Sequence, residues 1–200
     1  MAEIPATLVK QLRDATGAGM MECKAALKDA NGDLEEAKLI LRKRGLAQAG
    51  KKSGRATREG LIGSYVHMGG KIGVLVELNC ESDFVARTDD FQTLLRELAL
   101  QVAAANPQYV RREDVPSDVL ERERSVYRAQ MENSGKPAQV IEKIVEGKLA
   151  SFYEQACLVD QPSIRDPKVT VSAMLQAAVA KLGENIGVAR FVRFKVGEGL

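Results

Sequence analysis

The chain has 200 residues, of which 45% are hydrophobic and 28% are charged, and its formal net charge is +2. A chain of this length and composition can bury a sizeable core, which argues against a disordered protein. The net charge is too small to indicate direct binding to nucleic acid or to a membrane. Since no stretch approaches the roughly 20 apolar residues of a membrane span and the N-terminus lacks the apolar block of a signal peptide, the sequence predicts a cytoplasmic protein.

The residue types that carry most enzyme chemistry are scarce. The single histidine is His67, and the spacings of zinc sites, of a serine nucleophile elbow and of a phosphate-binding loop do not occur. The cysteines, Cys23, Cys80 and Cys157, are odd in number and far apart, which favours reduced thiols. We therefore predict no metal, no cofactor and no covalent catalysis.

Residues 1–45 predict three short helices. The first extends from Pro5 to Ala15, and the second from Met20 to Ala30, where an Asn-Gly turn follows. Asp33 then caps a third helix, which we expect to end at Gly45. Helices this short are marginal alone, so the bundle either binds a partner or packs on the rest of the chain.

Residues 46–59 lack any apolar period and are rich in glycine, lysine and arginine. With the basic residues at 42–44 they form a segment of seven positive charges, and no aromatic residue that could stack on a base occurs up to position 60. We predict a basic flexible linker rather than a nucleic-acid site, with a docking surface for an acidic partner as the alternative.

From residue 60 onward the pattern becomes β-rich. The runs LIGSYVHM and KIGVLVELN flank Gly69-Gly70, which predicts a hairpin whose second strand has one fully apolar face. Thr88 begins a helix ending near Asn106. Ser117 caps a helix over 118–133, which forms an antiparallel hairpin with a helix over 137–158 that has Val140 facing inward. A helix at 170–182 and the strand IGVARFVRFKV close the chain, so 60–200 predict an α+β domain.

A sheet of three strands leaves two open edges. Unpaired edges favour association with another strand, so we expect a homodimer formed through this domain.

The segment ESDFVAR, residues 81–87, lies between the second strand and the next helix. Side chains held between two rigid elements are well placed to act on a partner. The alternative is structural: Phe84 covers the helix start and Asp83 caps a turn. A third possibility is an enzyme that uses Glu81 and Asp83 as paired carboxylates, although no other polar cluster accompanies them.

Several motifs resemble the elongation factor Ts family of bacteria. They are LVKQLRDATGAGMMECKAALKDANGDLEEA, GSYVHMGGKIGVLVELN, NCESDFVAR, SGKPAQVIEKIVEGKL and RFVRFKVGEGL, and together they span nearly the whole chain. The resemblance implies a small three-helix bundle (UBA-like) before the α+β core, and a guanine-nucleotide exchange factor for GDP-bound elongation factor Tu. The residue that is usually threonine in the family signature is Ser82 here.

The resemblance also implies which residues touch elongation factor Tu. In the family, the segment matching Ser82, Asp83, Phe84 and Val85 enters the nucleotide domain of the partner and displaces its Mg²⁺. Further contacts implied by the matching motifs are Val9, Lys10, Gly19, Met20, Met21, Lys24 and His67. A protein-binding adaptor without exchange activity is the alternative from a different class.

The chain departs from longer family members because the sheet-and-helix module occurs once rather than twice. His67 matches a motif of the second copy in long members, whereas Asp83 and Phe84 match a motif of the first. This arrangement is consistent with two chains supplying together what a long member supplies alone, which favours the homodimer.

Overall fold

The computed structural model describes residues 4–131 and 134–198, and it confirms an α+β architecture. The described residues form helices α1 (Ala6–Thr16), α2 (Met20–Asp29), α3 (Leu34–Lys52), α4 (Asp83–Ala86), α5 (Asp89–Ala105), α6 (Ser117–Ala129), α7 (Ala138–Ala156) and α8 (Val171–Leu182). Strands β1 (Glu59–Val66), β2 (Ile72–Cys80) and β3 (Gly187–Lys195) form an antiparallel sheet in the order β1-β2-β3.

The described residues divide into two compact units. The first unit contains the chain up to Leu61, Leu78–Leu94 and Ala173–Gly187. The second contains Ile62–Glu77, Leu95–Ser172 and the chain from Val188 onward. The chain passes between the units within the sheet, within α5 and within α8, so these units differ from the consecutive segments 1–45, 46–59 and 60–200, which remain predictions of functional modules.

In the first unit, α1, α2 and α3 pack as a three-helix bundle. Its core is formed by residues with 0–8% exposure, namely Val9, Leu12, Cys23, Ala26, Leu27, Ala30 and Ala37. Asp33 caps α3 as predicted, because its carboxylate accepts the Glu36 amide at 2.8 Å. Gly17, with φ of 69°, ends α1 through a bond from its amide to the Arg13 carbonyl at 2.7 Å.

The predicted helix end at Gly45 is wrong, because α3 continues to Lys52. A Cβ on Gly45 would lie 3.0 Å from the Ala180 Cβ, so this glycine permits a close approach between α3 and α8 rather than a break. The following residues are mostly good helix formers, which outweighs the roughly 1 kcal/mol that one glycine costs. Residues 46–52 of the predicted flexible linker are therefore helical.

In the second unit, one face of the sheet lies against α5. A Cβ on Gly63 would lie 2.5 Å from the Leu95 side chain, and the Arg193 guanidinium donates to the Ala103 carbonyl at 3.3 Å. Val74 and Val76 of β2 are 3% and 0% exposed, as the predicted apolar face requires.

The helical hairpin of α6 and α7 is present, with two differences from expectation. Ser117 is the first residue of α6 and makes no capping side-chain bond, because Pro116 occupies the capping position. Val140 was predicted to face inward but is 41% exposed, whereas Val145 and Leu149 further along α7 are buried. The predicted end of α6 at Asn133 lies outside the described residues.

Candidate functional site

The segment ESDFVAR connects β2 to α5 and contains a single helical turn, α4. Ser82 caps this turn in an extended conformation, with its hydroxyl oxygen 3.5 Å from the Val85 amide. At the other end, the Thr88 hydroxyl donates to the Val85 carbonyl at 2.7 Å and accepts the Phe91 amide at 3.3 Å. The turn is thus held on both sides by hydroxyl residues, Ser82 within the NCESDFVAR motif and Thr88 directly after it.

Phe84 is the most conspicuous side chain of α4. It is 78% exposed, whereas Phe91 on the first turn of α5 is fully buried. The alternative in which Phe84 covers the helix start within its own core is therefore wrong. An exposed phenylalanine on a held turn offers a large apolar surface to a partner.

Asp83 begins α4 and points its carboxylate toward the end of the same segment. The Arg87 guanidinium donates to this carboxylate at 2.7 Å, and the two side chains are 46% and 75% exposed for aspartate and arginine. An ion pair this exposed contributes little stability, so its carboxylate can be redirected to a partner at small cost. Ser82, and not Asp83, caps the turn.

The turn after α8 also contacts this segment. The Glu184 carboxylate accepts the Ser82 amide at 2.9 Å, the Glu81 amide at 3.1 Å and the Ser82 hydroxyl at 2.5 Å. In return, the Glu81 carboxylate accepts the Asn185 amide at 2.7 Å. Sequence reasoning missed Glu184 and Asn185, because a Gly-Glu-Asn run after a helix looks like an ordinary turn.

Cys80 ends β2 beneath the same segment. Its thiol donates to the Ser82 carbonyl at 3.1 Å, and burial, followed by the nearby Glu184 carboxylate, raises the pKa of the Cys80 thiol. A raised pKa keeps the thiol protonated, so Cys80 serves as a donor and not as a nucleophile. All three cysteines are free and buried.

The other sequence-predicted contacts occupy two places. Lys10, Gly19, Met20, Met21 and Lys24 are exposed on α1, α2 and their connection, and Met21 is 78% exposed. Val9 differs, because its side chain is 5% exposed and packs in the bundle core.

His67 lies in the exposed turn between β1 and β2, in the second unit. Its Nδ1 atom is 2.9 Å from the Tyr65 hydroxyl, and its amide donates to the Ile72 carbonyl at 2.9 Å. The imidazole therefore has one side-chain partner on the hairpin, the Tyr65 hydroxyl.

Glu81 and Asp83 do not converge on a common point as paired catalytic carboxylates would. Each carboxylate has a different partner, Asn185 for Glu81 and Arg87 for Asp83. Among residues 4–131 and 134–198 there is no group of histidine, cysteine and acidic side chains that could hold a metal ion. Within the same residues, each helix is too short or too polar to cross a membrane.

The family model described as Elongation factor TS matches residues 9–198. The chain is 62% identical over 196 residues to "Elongation factor Ts" of Fervidobacterium nodosum, covering 98% of this chain and 100% of the relative. It is 58% identical over 198 residues to "Elongation factor Ts" of Solibacter usitatus, covering 99% of this chain and 93% of the relative. The motifs and these matches together show that the chain belongs to the elongation factor Ts family.

Proposed function

We propose that this chain releases GDP and Mg²⁺ from elongation factor Tu by inserting the segment Ser82, Asp83, Phe84 and Val85 into the nucleotide domain of that partner. Membership of the family identifies the chain as a translation elongation factor that acts as a nucleotide exchange factor for elongation factor Tu. The observation that carries the proposed site is the 78% exposure of Phe84 on a turn that is held on both sides.

The proposed mechanism is displacement of contacts, without covalent chemistry or a cofactor. A GTPase holds its nucleotide through backbone amides and a Mg²⁺ ion that bridges phosphate oxygens. Burying the Phe84 ring in the partner would offer roughly 1.5–3 kcal/mol to offset distortion of those contacts. Asp83 would add a negative charge that competes for the metal or for the residues that hold it.

The three-helix bundle is proposed as the docking surface for the partner. Met20 and Met21 are 46% and 78% exposed, and unbranched thioethers adapt well to a protein surface. Lys10 and Lys24 add positive charge on the neighbouring surface. Val9 supports this surface from within the core and does not face the partner.

Release of the factor follows from linkage. If the factor lowers the affinity of its partner for nucleotide, then bound nucleotide lowers the affinity of the partner for the factor by the same amount. Binding of GTP therefore expels the factor, and one molecule can act on many partners in the cytoplasm.

Phe84→Ala tests the proposed lever. GDP release from preloaded elongation factor Tu, followed with a fluorescent GDP, should slow about ten- to hundredfold relative to the unchanged chain, since the apolar contact is lost. The unfolding free energy should change by less than about 0.5 kcal/mol, because the ring is exposed in the free protein. Val126→Ala, which truncates another exposed apolar side chain, on α6 (49% exposed), is the matched control and should exchange normally.

Two results would contradict this proposal. Unimpaired exchange by Phe84→Ala would remove the lever, and failure of the unchanged chain to accelerate GDP release would favour the adaptor function. In the same assay, Asp83→Asn should lose more activity at high Mg²⁺ than at low Mg²⁺. Equal loss at every Mg²⁺ concentration would exclude competition with the metal.

A homodimer is proposed through the face of the sheet that does not contact α5. Gly63, Val74 and Val76 face the interior, so alternate residues point away from it. Those outward residues include exposed apolar side chains: Ile62 (67%), Val66 (67%), Leu75 (47%), Val192 (39%) and Phe194 (69%). An apolar face spread over three strands, with two open edges, favours a second copy of the same surface.

A further inference from the structure

The turn after α8 holds the Ser82 segment from a distant part of the sequence. The Glu184 Oε2 atom accepts two successive backbone amides, those of Glu81 at 3.1 Å and Ser82 at 2.9 Å. The Oε1 atom accepts the Ser82 hydroxyl at 2.5 Å. Three donors on one half-buried carboxylate form charge-assisted bonds, which are stronger than bonds between neutral groups.

This contact also determines how Ser82 caps α4. A hydroxyl has one proton, and Ser82 gives it to Glu184. The remaining lone pairs are then free to face the Val85 amide, 3.5 Å away. Glu184 therefore sets the orientation of the cap from which the Asp83–Ala86 turn begins.

A second set of bonds runs in the opposite direction. The Glu81 Oε1 atom accepts the Asn185 amide at 2.7 Å and the Arg55 guanidinium at 3.5 Å. The Asn185 side chain donates to the backbone carbonyls of Arg55 at 2.8 Å and Ser53 at 3.3 Å. Residues 81–82, residues 184–185 and the turn after α3 thus form one bonded network within the first unit.

We infer that Glu184 is a positioning residue for nucleotide exchange, acting through Ser82 to hold Phe84 outward. This inference rests on the proposed function of the Ser82–Val85 segment. A free loop bearing an exposed phenylalanine would lose much conformational entropy on entering a partner, whereas a loop already fixed loses little. The Phe84 side chain has no polar group to form a hydrogen bond. Its direction therefore depends on the backbone that Glu184 holds.

Amide hydrogen exchange measured by NMR tests the positioning directly in the free protein. In Glu184→Ala, the Glu81 and Ser82 amides should exchange about tenfold faster or more, because both lose their acceptor. In Glu184→Gln, the increase should be smaller, since the amide oxygen still accepts a bond. Glu97→Ala is the matched control, because Glu97 is also a partly buried carboxylate, but it lies in the second unit and its partner is Arg165.

The GDP-release assay then tests the consequence for function. Glu184→Ala should slow exchange by about tenfold, Glu184→Gln should restore part of the rate, and Glu97→Ala should leave it unchanged. In a Phe84→Ala background, Glu184→Ala should add almost no further loss, because both changes act through the same ring. The amide protection of the α1–α3 core should stay unchanged, which a purely structural role would not allow.

The outcomes separate this inference from the function on which it rests. Unchanged protection of Glu81 and Ser82 in Glu184→Ala overturns the positioning role, whatever happens to exchange. Full additivity with Phe84→Ala, or a general loss of protection in the first unit in both Glu184 variants, also overturns it. Loss of protection at Glu81 and Ser82 with normal exchange by both Glu184→Ala and Phe84→Ala supports the positioning and instead contradicts the proposed function.

Discussion

At the residue scale, neighbouring positions of similar chemistry have opposite roles. Phe84 is 78% exposed and Phe91 is fully buried, although only one helical turn and a cap separate them. The difference arises because Thr88 restarts the chain as α5, so Phe91 falls on the buried stripe of a new helix. A substitution at Phe91 should therefore reduce stability, whereas one at Phe84 should reduce exchange.

Cys157 gives a pH prediction at the same scale. Its side chain is fully buried, and burial raises the pKa of the thiol from 9.0 to about 11, with a smaller contribution from Asp160. Because the folded pKa lies above the unfolded pKa, the stability is fully present below about pH 9 and is lost as the pH rises toward 11. The unfolding free energy should fall over that window by about 2 kcal/mol or more, since Cys23 and Cys80 shift in the same direction.

Urea unfolding at several pH values between 8 and 11 measures this loss. Cys157→Ala should be less stable at neutral pH through the lost packing, yet its stability should decline less steeply above pH 9. A decline as steep as that of the unchanged chain would show that the Cys157 thiol is not responsible.

At the element scale, two glycines mark close approaches between elements rather than element ends. Gly45 lies inside α3 opposite Ala180, and Gly63 lies inside β1 opposite Leu95. Both allow one element to pack near another, which is why the sequence signal for a break at Gly45 misleads. A glycine in a helical pattern can either end the helix or allow another element to pack closely against it, and only the neighbouring element distinguishes the two.

Gly60 and Gly147 form a matched pair for testing this view. Gly60 in β1 has φ of 151°, and a Cβ there would lie 2.3 Å from the Leu78 carbonyl oxygen. Gly60→Ala should therefore lower the unfolding free energy by about 2 kcal/mol or more. Gly147 is exposed on α7 with no atom within 4 Å of an added Cβ, so Gly147→Ala should raise it by about 0.5–1 kcal/mol.

The two glycine variants add the same methyl group, so chemical unfolding compares the sites directly. A destabilising Gly147→Ala would mean that α7 has a neighbour not present in the single chain. A neutral Gly60→Ala would mean that β1 can move away from β2 without cost.

At the scale of the whole molecule, the exposed sheet face is the main feature that the single chain leaves unexplained. Monomeric proteins seldom expose contiguous apolar patches, and those that do generally use them for association. The relative from Fervidobacterium nodosum is covered over its full length by this chain. A dimer would have two copies of the Ser82–Val85 segment, one in each chain.

Sedimentation equilibrium tests this dimer. The unchanged chain should sediment at twice the chain mass at micromolar concentration. Phe194→Lys should shift it toward the monomer, because a charge would be buried within the interface. Val126→Lys places the same charge on an exposed apolar position of α6 and should leave the dimer intact. A monomer for the unchanged chain excludes the homodimer, and a stable dimer of Phe194→Lys excludes this face.

The local pattern was sufficient to predict most of the helices and strands. Alternating apolar residues with a Gly-Gly turn predicted β1 and β2, and capping residues at 33 and 88 predicted the starts of α3 and α5, because these signals arise from neighbours along the chain. The resemblance of NCESDFVAR to a family signature indicated where to look for function. From the sequence alone, Phe84 of this motif could still have been either a core residue or a contact for a partner.

Tertiary structure decided the exposure of Phe84, the continuation of α3 through Gly45 and the support that Glu184 gives to Ser82. Each of these depends on groups that come into contact only after folding. Ala180 lies next to Gly45, and the Glu184 carboxylate accepts a hydrogen bond from the Ser82 amide, 102 residues away in the sequence. Periodicity and capping reflect interactions between residues that are close in the sequence, so they contain no information on long-range tertiary contacts. The sequence by itself therefore determined which elements form and to which family the chain is similar, and only the packed structure decided which side chains remain available to a partner.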